Sequence, residues 1–133
     1  MNAKNNRISG VYIAKPENAA EIRKNFKEFF ESLGLPKEQV YDMLLAMGEM
    51  VVNAIEHAYH GNEGLIQVCA CFIDNTLSIV IEDFGDWVTP EMPRQITRGR
   101  GIFIAEILTT KFDMIHKREG GTRVKLELDT ANS

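Results

Sequence analysis

Nowhere does this sequence hold an unbroken apolar run close to the roughly 20 residues that span a bilayer, and its start, Met1 to Arg7, lacks the apolar block of a secretion signal. A cytoplasmic protein without membrane contact is expected. Cysteine is scarce: Cys69 and Cys71 are the only two. They stand two apart on one face of a strand-like run, where neighbours do not readily close a disulfide. No further ligand follows at the spacing of a zinc site, so buried, reduced thiols are expected. His57, His60 and His116 form no metal-ligand constellation either and read as structural or solvated. Basic residues are outnumbered, leaving a net charge of -4. General affinity for nucleic acid needs a clustered excess of Lys and Arg, so this balance argues against it and leaves open only a local basic patch. Also missing is the Gly-Lys-Ser/Thr ending of a Walker loop.

What remains is the composition of a globular protein, 44% apolar and 26% charged over 133 residues, enough for one domain with a core of its own. Ile8 to Ala14 reads as a strand that stops before Pro16. Ala19, Ile22, Phe26, Phe29, Phe30 and Leu33 recur at helical spacing, and Gly34 ends that helix. Pro36 opens a long helix predicted to end near Gly61. Leu65 to Asp74 and Thr76 to Asp83 read as strands joined by a tight turn at Asp74-Asn75. Phe84 to Arg100, with Pro90 and Pro93, reads as a loop, and Gly101 to Leu108 as a short helix. Lys111 to Lys117 and Thr122 to Leu128 complete a hairpin turning at Glu119-Gly120-Gly121. With no repeat or linker, residues 1–133 are expected to form one α+β domain, an α/β sandwich. Its sheet is expected to be mixed but mostly antiparallel, with helices on one face.

The long helix carries the most specific chemistry. At about 3.6 residues per turn, Asp42, Glu49, Asn53, Glu56 and His60 share one stripe while apolar residues cover most of the rest. Such a stripe either faces water or lines a pocket. Glu49 and Asn53, one turn apart, are a pair able to hold magnesium and activate a hydroxyl. Asp83, ending the run Ile79-Val-Ile-Glu-Asp83-Phe-Gly85, stands at a sheet edge where it can accept from an adenine amino group; an ordinary strand-ending turn is the plain alternative. Asp83-Phe84-Gly85 is not the magnesium triplet of a protein kinase fold, because the chain is too short and has no His-Arg-Asp loop. Arg98-Gly99-Arg100-Gly101 precedes a helix, so backbone N–H groups and two guanidinium groups there can approach a phosphate, although a surface loop has the same look. Gly121-Thr122 alone says little more than turn and strand.

The order of these pieces is more informative than any one of them: Glu49-x-x-x-Asn53, Asp83-x-Gly85, Gly99-x-Gly101 before a helix, Gly121-Thr122 before the last strand. From about Leu44 to Leu128 this succession resembles the GHKL ATP-binding superfamily. Through Glu49-Met-Val-Val-Asn53-Ala-Ile-Glu-His57-Ala and Arg98-Gly-Arg-Gly101-Ile-Phe-Ile it is most similar to the bacterial anti-sigma-factor serine/threonine kinases. The resemblance implies a small cytoplasmic homodimer that binds ATP and Mg2+, sequesters a sigma factor and phosphorylates an anti-sigma-factor antagonist protein. It implies Glu49 as general base, Asn53 as the magnesium-holding amide, Asp83 as reader of adenine and Gly85 as the turn beside the base. Gly99 and Gly101 are implied under the phosphates and Thr122 near the adenine. Either Arg98 or Arg100 meets the γ-phosphate. One departure is visible, since many relatives have a second glycine two residues after the first, where this chain has Gly85-Asp86-Trp87. The stretch between Trp87 and Gly99 is short, as in the anti-sigma branch. Two alternatives share the motifs: an ATP-binding regulatory module without significant kinase activity, and the catalytic domain of a histidine kinase. The second is less expected, because no phosphoacceptor helix precedes the domain.

Overall fold

A computed structural model describes residues 6–60, 62–85 and 100–132. Strand β1 (Arg7–Ile13) is followed by helices α1 (Glu17–Ser32) and α2 (Lys37–His57). Strands β2 (Leu65–Ile73) and β3 (Thr76–Asp83), helix α3 (Arg100–Leu108) and strands β4 (Lys111–His116) and β5 (Thr122–Asp129) complete the order, with a short 3₁₀ turn at Thr130–Asn132. The strands form one sheet in the order β1-β2-β3-β5-β4. Every neighbouring pair is antiparallel, so the mixed sheet expected from the sequence is, among the described residues, antiparallel throughout.

Alternation along the strands creates the two faces. Ile66, Val68 and Ala70 of β2, Leu77, Ile79 and Ile81 of β3, and Val124 and Leu126 of β5 are buried, with half-buried or exposed residues between them. Helix α1 meets this core with Ile22, Phe26 and Phe30, one turn apart, and the rings of Phe26 and Phe30 pack edge-on at 6.3 Å. Helix α2 buries Met43, Leu44, Ala46, Met47, Met50, Val51 and Ala54, more than one stripe, because it contacts the sheet, α1 and α3 together. Among the described residues no helix is long and apolar enough to cross a membrane.

The turns follow their residues. Asp74 and Asn75 both have positive φ, 52° and 64°, as a two-residue primed hairpin turn requires. Gly34 ends α1 at φ 77°, and Gly120 and Gly121 turn the last hairpin at 110° and 99°. Two expectations are corrected. Helix α2 stops at His57 rather than near Gly61, and His60 lies beyond it at φ 52°, outside the helical stripe. Cys69 and Cys71 are free but only half-buried, because β2 turns Ile66, Val68 and Ala70 inward and its odd-numbered residues to the opposite face. The Cys69 thiol is pushed above its ordinary range, first by desolvation and then by the Glu82 carboxylate, with Arg7 opposing. It is accordingly a poor source of thiolate.

Candidate functional site

Two clusters of polar groups lie at either end of the second half of α2. The first joins α2 to the start of α3. Glu49 and Asn53 are both half-buried on α2, and Gly101 in the first turn of α3 packs directly over them. A Cβ on Gly101 would stand 2.7 Å from Glu49 Oε1 and 3.5 Å from Asn53 Nδ2. The absence of a side chain therefore sets the close approach of the two helices. It also brings the start of α3, the positive end of a helix dipole, to a carboxylate and an amide. Arg100, exposed, opens α3 at the same place. Arg98 and Gly99, and the stretch from Trp87, lie outside the described residues.

The second cluster forms where β3, β5 and the end of α2 converge. Asp83 is only 2% exposed and Thr122 1%. They face each other across the β3–β5 ladder. The backbone N–H groups of Gly85 and Thr122 both donate to Asp83 Oδ1 at 3.2 Å, which compensates the burial of a carboxylate. Gly85 is wedged against α2, since a Cβ there would collide with the Ala58 carbonyl and lie 2.9 Å from the Tyr59 ring. Gly121 is equally constrained: a Cβ would strike the Asp83 carbonyl. Asp83 is thus positioned by two glycines, one on each side.

Tyr59 straps this corner together. Its hydroxyl donates to the Leu65 carbonyl at 2.6 Å and accepts from the Phe84 N–H at 2.8 Å, linking the end of α2 to the start of β2 and the end of β3. On the hairpin side, Lys117 Nζ donates to Glu82 Oε2 at 2.6 Å and sits 4.3 Å from the centroid of the half-exposed Phe84 ring. His116 Nδ1 is 2.9 Å from Thr122 Oγ1.

The structure therefore brings Glu49, Asn53, Arg100 and Gly101 to one end, and Asp83, Gly85 and Thr122 to the other. Sequence reasoning missed Tyr59, Lys117 and Gly121 as a packing residue; His116, read as structural or solvated, is exposed with its ring against the Thr122 hydroxyl. The signal for Gly121 was its place next to Thr122; Tyr59 and Lys117 act through contacts with segments 25 and 35 residues away. Oxygen donors at Glu49 and Asn53 suit a hard cation such as Mg2+, which takes one or two protein oxygens and completes its shell with phosphates and water.

A family model described as the histidine kinase-like ATPase domain matches residues 12–128. The anti-sigma F factor of Clostridium acetobutylicum is 32% identical over 80 residues, 60% of this chain and 56% of that protein. The anti-sigma F factor of Clostridium perfringens is 25% identical over 133 aligned residues, 90% of this chain and 93% of its own length. A serine-protein kinase RsbW of Staphylococcus epidermidis is 33% identical over 75 residues, 55% of this chain and 47% of the relative. The chain thus spans about half the length of the first and third of these relatives and nearly all of the second. A crystal structure of the RsbU and RsbW domains of a Mycobacterium tuberculosis protein superposes with a TM-score of 0.74 at 25% identity, covering 92% of this chain and 32% of that one.

The strap has a measurable worth. Tyr59→Phe removes a donor and an acceptor at once and is expected to cost about 1–2 kcal/mol of stability, the net value of two hydrogen bonds. Urea denaturation checks this, and an unchanged midpoint would show that the hydroxyl adds nothing.

Proposed function

This chain belongs to the histidine kinase-like ATPase domain family, and from that premise we propose that it is an ATP-dependent serine/threonine kinase that sequesters a sigma factor and phosphorylates its antagonist. The observation that carries the reading is the packing of Gly101 against Glu49 and Asn53, because it joins a base, a metal-compatible amide and a helix N-terminus at one point. About nine residues of α2 separate that point from the Asp83 cluster, roughly 13 Å of helix axis at about 1.5 Å per residue. A nucleoside triphosphate laid along the helix has its base at Asp83 and its γ-phosphate at Glu49.

In this arrangement Asp83 accepts from the adenine amino group, and Gly85 and Thr122 bound the base. The first turn of α3 at Gly101 donates N–H groups to phosphate oxygens, with Gly99 and either Arg98 or Arg100 adding charge. Asn53 is the residue that would hold Mg2+, which would supply positive charge against the triphosphate when bound. Glu49 takes the proton from the acceptor serine or threonine hydroxyl as its oxygen forms a bond to the γ-phosphorus. The bond from that phosphorus to the β,γ-bridging oxygen breaks, and ADP leaves. The names of the relatives, anti-sigma F factor and serine-protein kinase RsbW, support the choice of partners. A cytoplasmic location goes with those partners and with ATP as part of the same reading.

The open face of the sheet supports a homodimer. Val11, Ile13, Leu65 and Ile73 are exposed apolar residues on β1 and β2, and a second copy is the occupant proposed for them. Light scattering at micromolar concentration is expected to return a dimer; a monomer with and without ATP removes this part of the reading.

Two substitutions test the chemistry. Asp83→Asn is expected to weaken ATP binding about ten- to a hundredfold, the loss of a charge-assisted hydrogen bond. Calorimetry reads this out, and folded wild-type protein that binds no ATP ends the nucleotide reading. Glu49→Ala is expected to retain ATP and the sigma factor while phosphate incorporation into the antagonist falls by roughly 10²–10⁴-fold, the usual share of a positioned base. Undiminished incorporation removes Glu49 from the role of base. No incorporation by the wild type favours the regulatory ATP-binding module instead.

A further inference from the structure

His116 lies on the edge strand, outside the motifs that announce the site, yet the sheet register places it in line with the Asp83 cluster. Asp83 is opposite Thr122 on one side, and Thr122 is opposite His116 on the other. Residues directly opposite in a sheet share a face, so the three side chains form one row across β3, β5 and β4. The row is hydrogen-bonded along its length. Thr122 N–H donates to Asp83 Oδ1 at 3.2 Å, and Thr122 Oγ1 is 2.9 Å from His116 Nδ1.

Resting on the reading that this end of the sheet holds the base of ATP, we propose that His116 is a specificity-determining positioning residue: it fixes the Thr122 hydroxyl as an acceptor toward the base. A threonine hydroxyl has a single proton and two lone pairs. In a neutral imidazole protonated on Nε2, Nδ1 accepts that proton, and the hydroxyl oxygen has only lone pairs left to offer a base. A carboxylate also only accepts. Asp83 and Thr122 then present two acceptors side by side. The N6 amino group of adenine carries two hydrogens and satisfies both acceptors, directly or through water. A base with a carbonyl oxygen there, as guanine has at O6, meets acceptors with an acceptor. Without His116 the Thr122 hydroxyl is a free rotor that can donate as readily as accept, and the discrimination falls.

The test measures ATP and GTP affinities by calorimetry, with thermal melts, for the wild type, His116→Ala, His116→Gln, Thr122→Val and the His116→Ala/Thr122→Val double variant. His116→Ala is expected to lower the preference for ATP over GTP by roughly three- to tenfold, the scale of one hydrogen bond. His116→Gln, which keeps an acceptor, restores part of the preference. In the Thr122→Val background the His116→Ala change has no further effect, because the two residues act as one unit. An unchanged ATP to GTP ratio in His116→Ala overturns the proposal, whether or not the melting temperature falls, and so does a further loss in the double variant. Those results leave ATP binding by the wild type standing. A wild type that binds neither nucleotide overturns the nucleotide reading and this proposal together.

Discussion

A carboxylate that is almost wholly removed from water needs donors fixed in place before it can be tolerated, and that requirement at Asp83 organises one end of this domain. Its Oδ1 receives N–H groups from Gly85 and Thr122, which come from segments far apart in sequence. Meeting both obliges β5 to pair beside β3 and the chain after β3 to turn at once. The turn is possible only because Gly85 has no side chain to strike Ala58, and the pairing only because Gly121 has none to strike Asp83. Leaving a buried carboxylate without such donors costs several kcal/mol, more than the net value of any single contact in the corner. The Tyr59 hydroxyl and the Lys117–Glu82 pair then hold the frame that keeps those donors aimed.

The other end is governed by distance rather than by burial. Glu49 and Asn53 are held on a helix whose Met47, Met50, Val51 and Ala54 are buried beside them, so their positions are fixed by the core. Gly101 lets the start of a second helix come within contact of both. A side chain at position 101 would have to displace the Glu49 carboxylate or lift α3 away from α2. The two ends share α2 as a common ruler, and the separation of the Glu49 and Asp83 clusters is therefore set by helix geometry, not by a loop.

Much of this was legible in the residues. Alternation in Ile66 to Ile73 and Thr76 to Asp83, the Asp74-Asn75 turn and the helical spacing of Ile22, Phe26 and Phe30 are local signals, and the structure reproduces them within a residue or two. Glu49 and Asn53 on one stripe follow from helix period alone. The errors have physical causes. Cys69 and Cys71 were expected to be buried because cysteine usually is, yet Ile66 and Val68 compete for the same core face and are the more apolar set. The end of α2 was placed too late because the residues after His57 keep helical composition; what stops them is packing against Gly85 and the Tyr59 strap, both long-range. The hairpin that holds His116 was legible, but not its register, which sets His116 opposite Thr122.

The topology carries a consequence for how the domain assembles. β2 with β3, and β4 with β5, are hairpins closed by short turns, whereas β3 pairs with β5 over separations as long as Thr76 to Asp129. Closing so large a loop carries the greater entropic cost, and in antiparallel proteins such non-local steps set the pace of folding. The Asp83–Thr122 contact lies on the seam where the two hairpins meet. A ligand seated on that seam binds only the fully assembled domain, so its free energy adds to the cooperative stability of the whole chain and not to that of one loop.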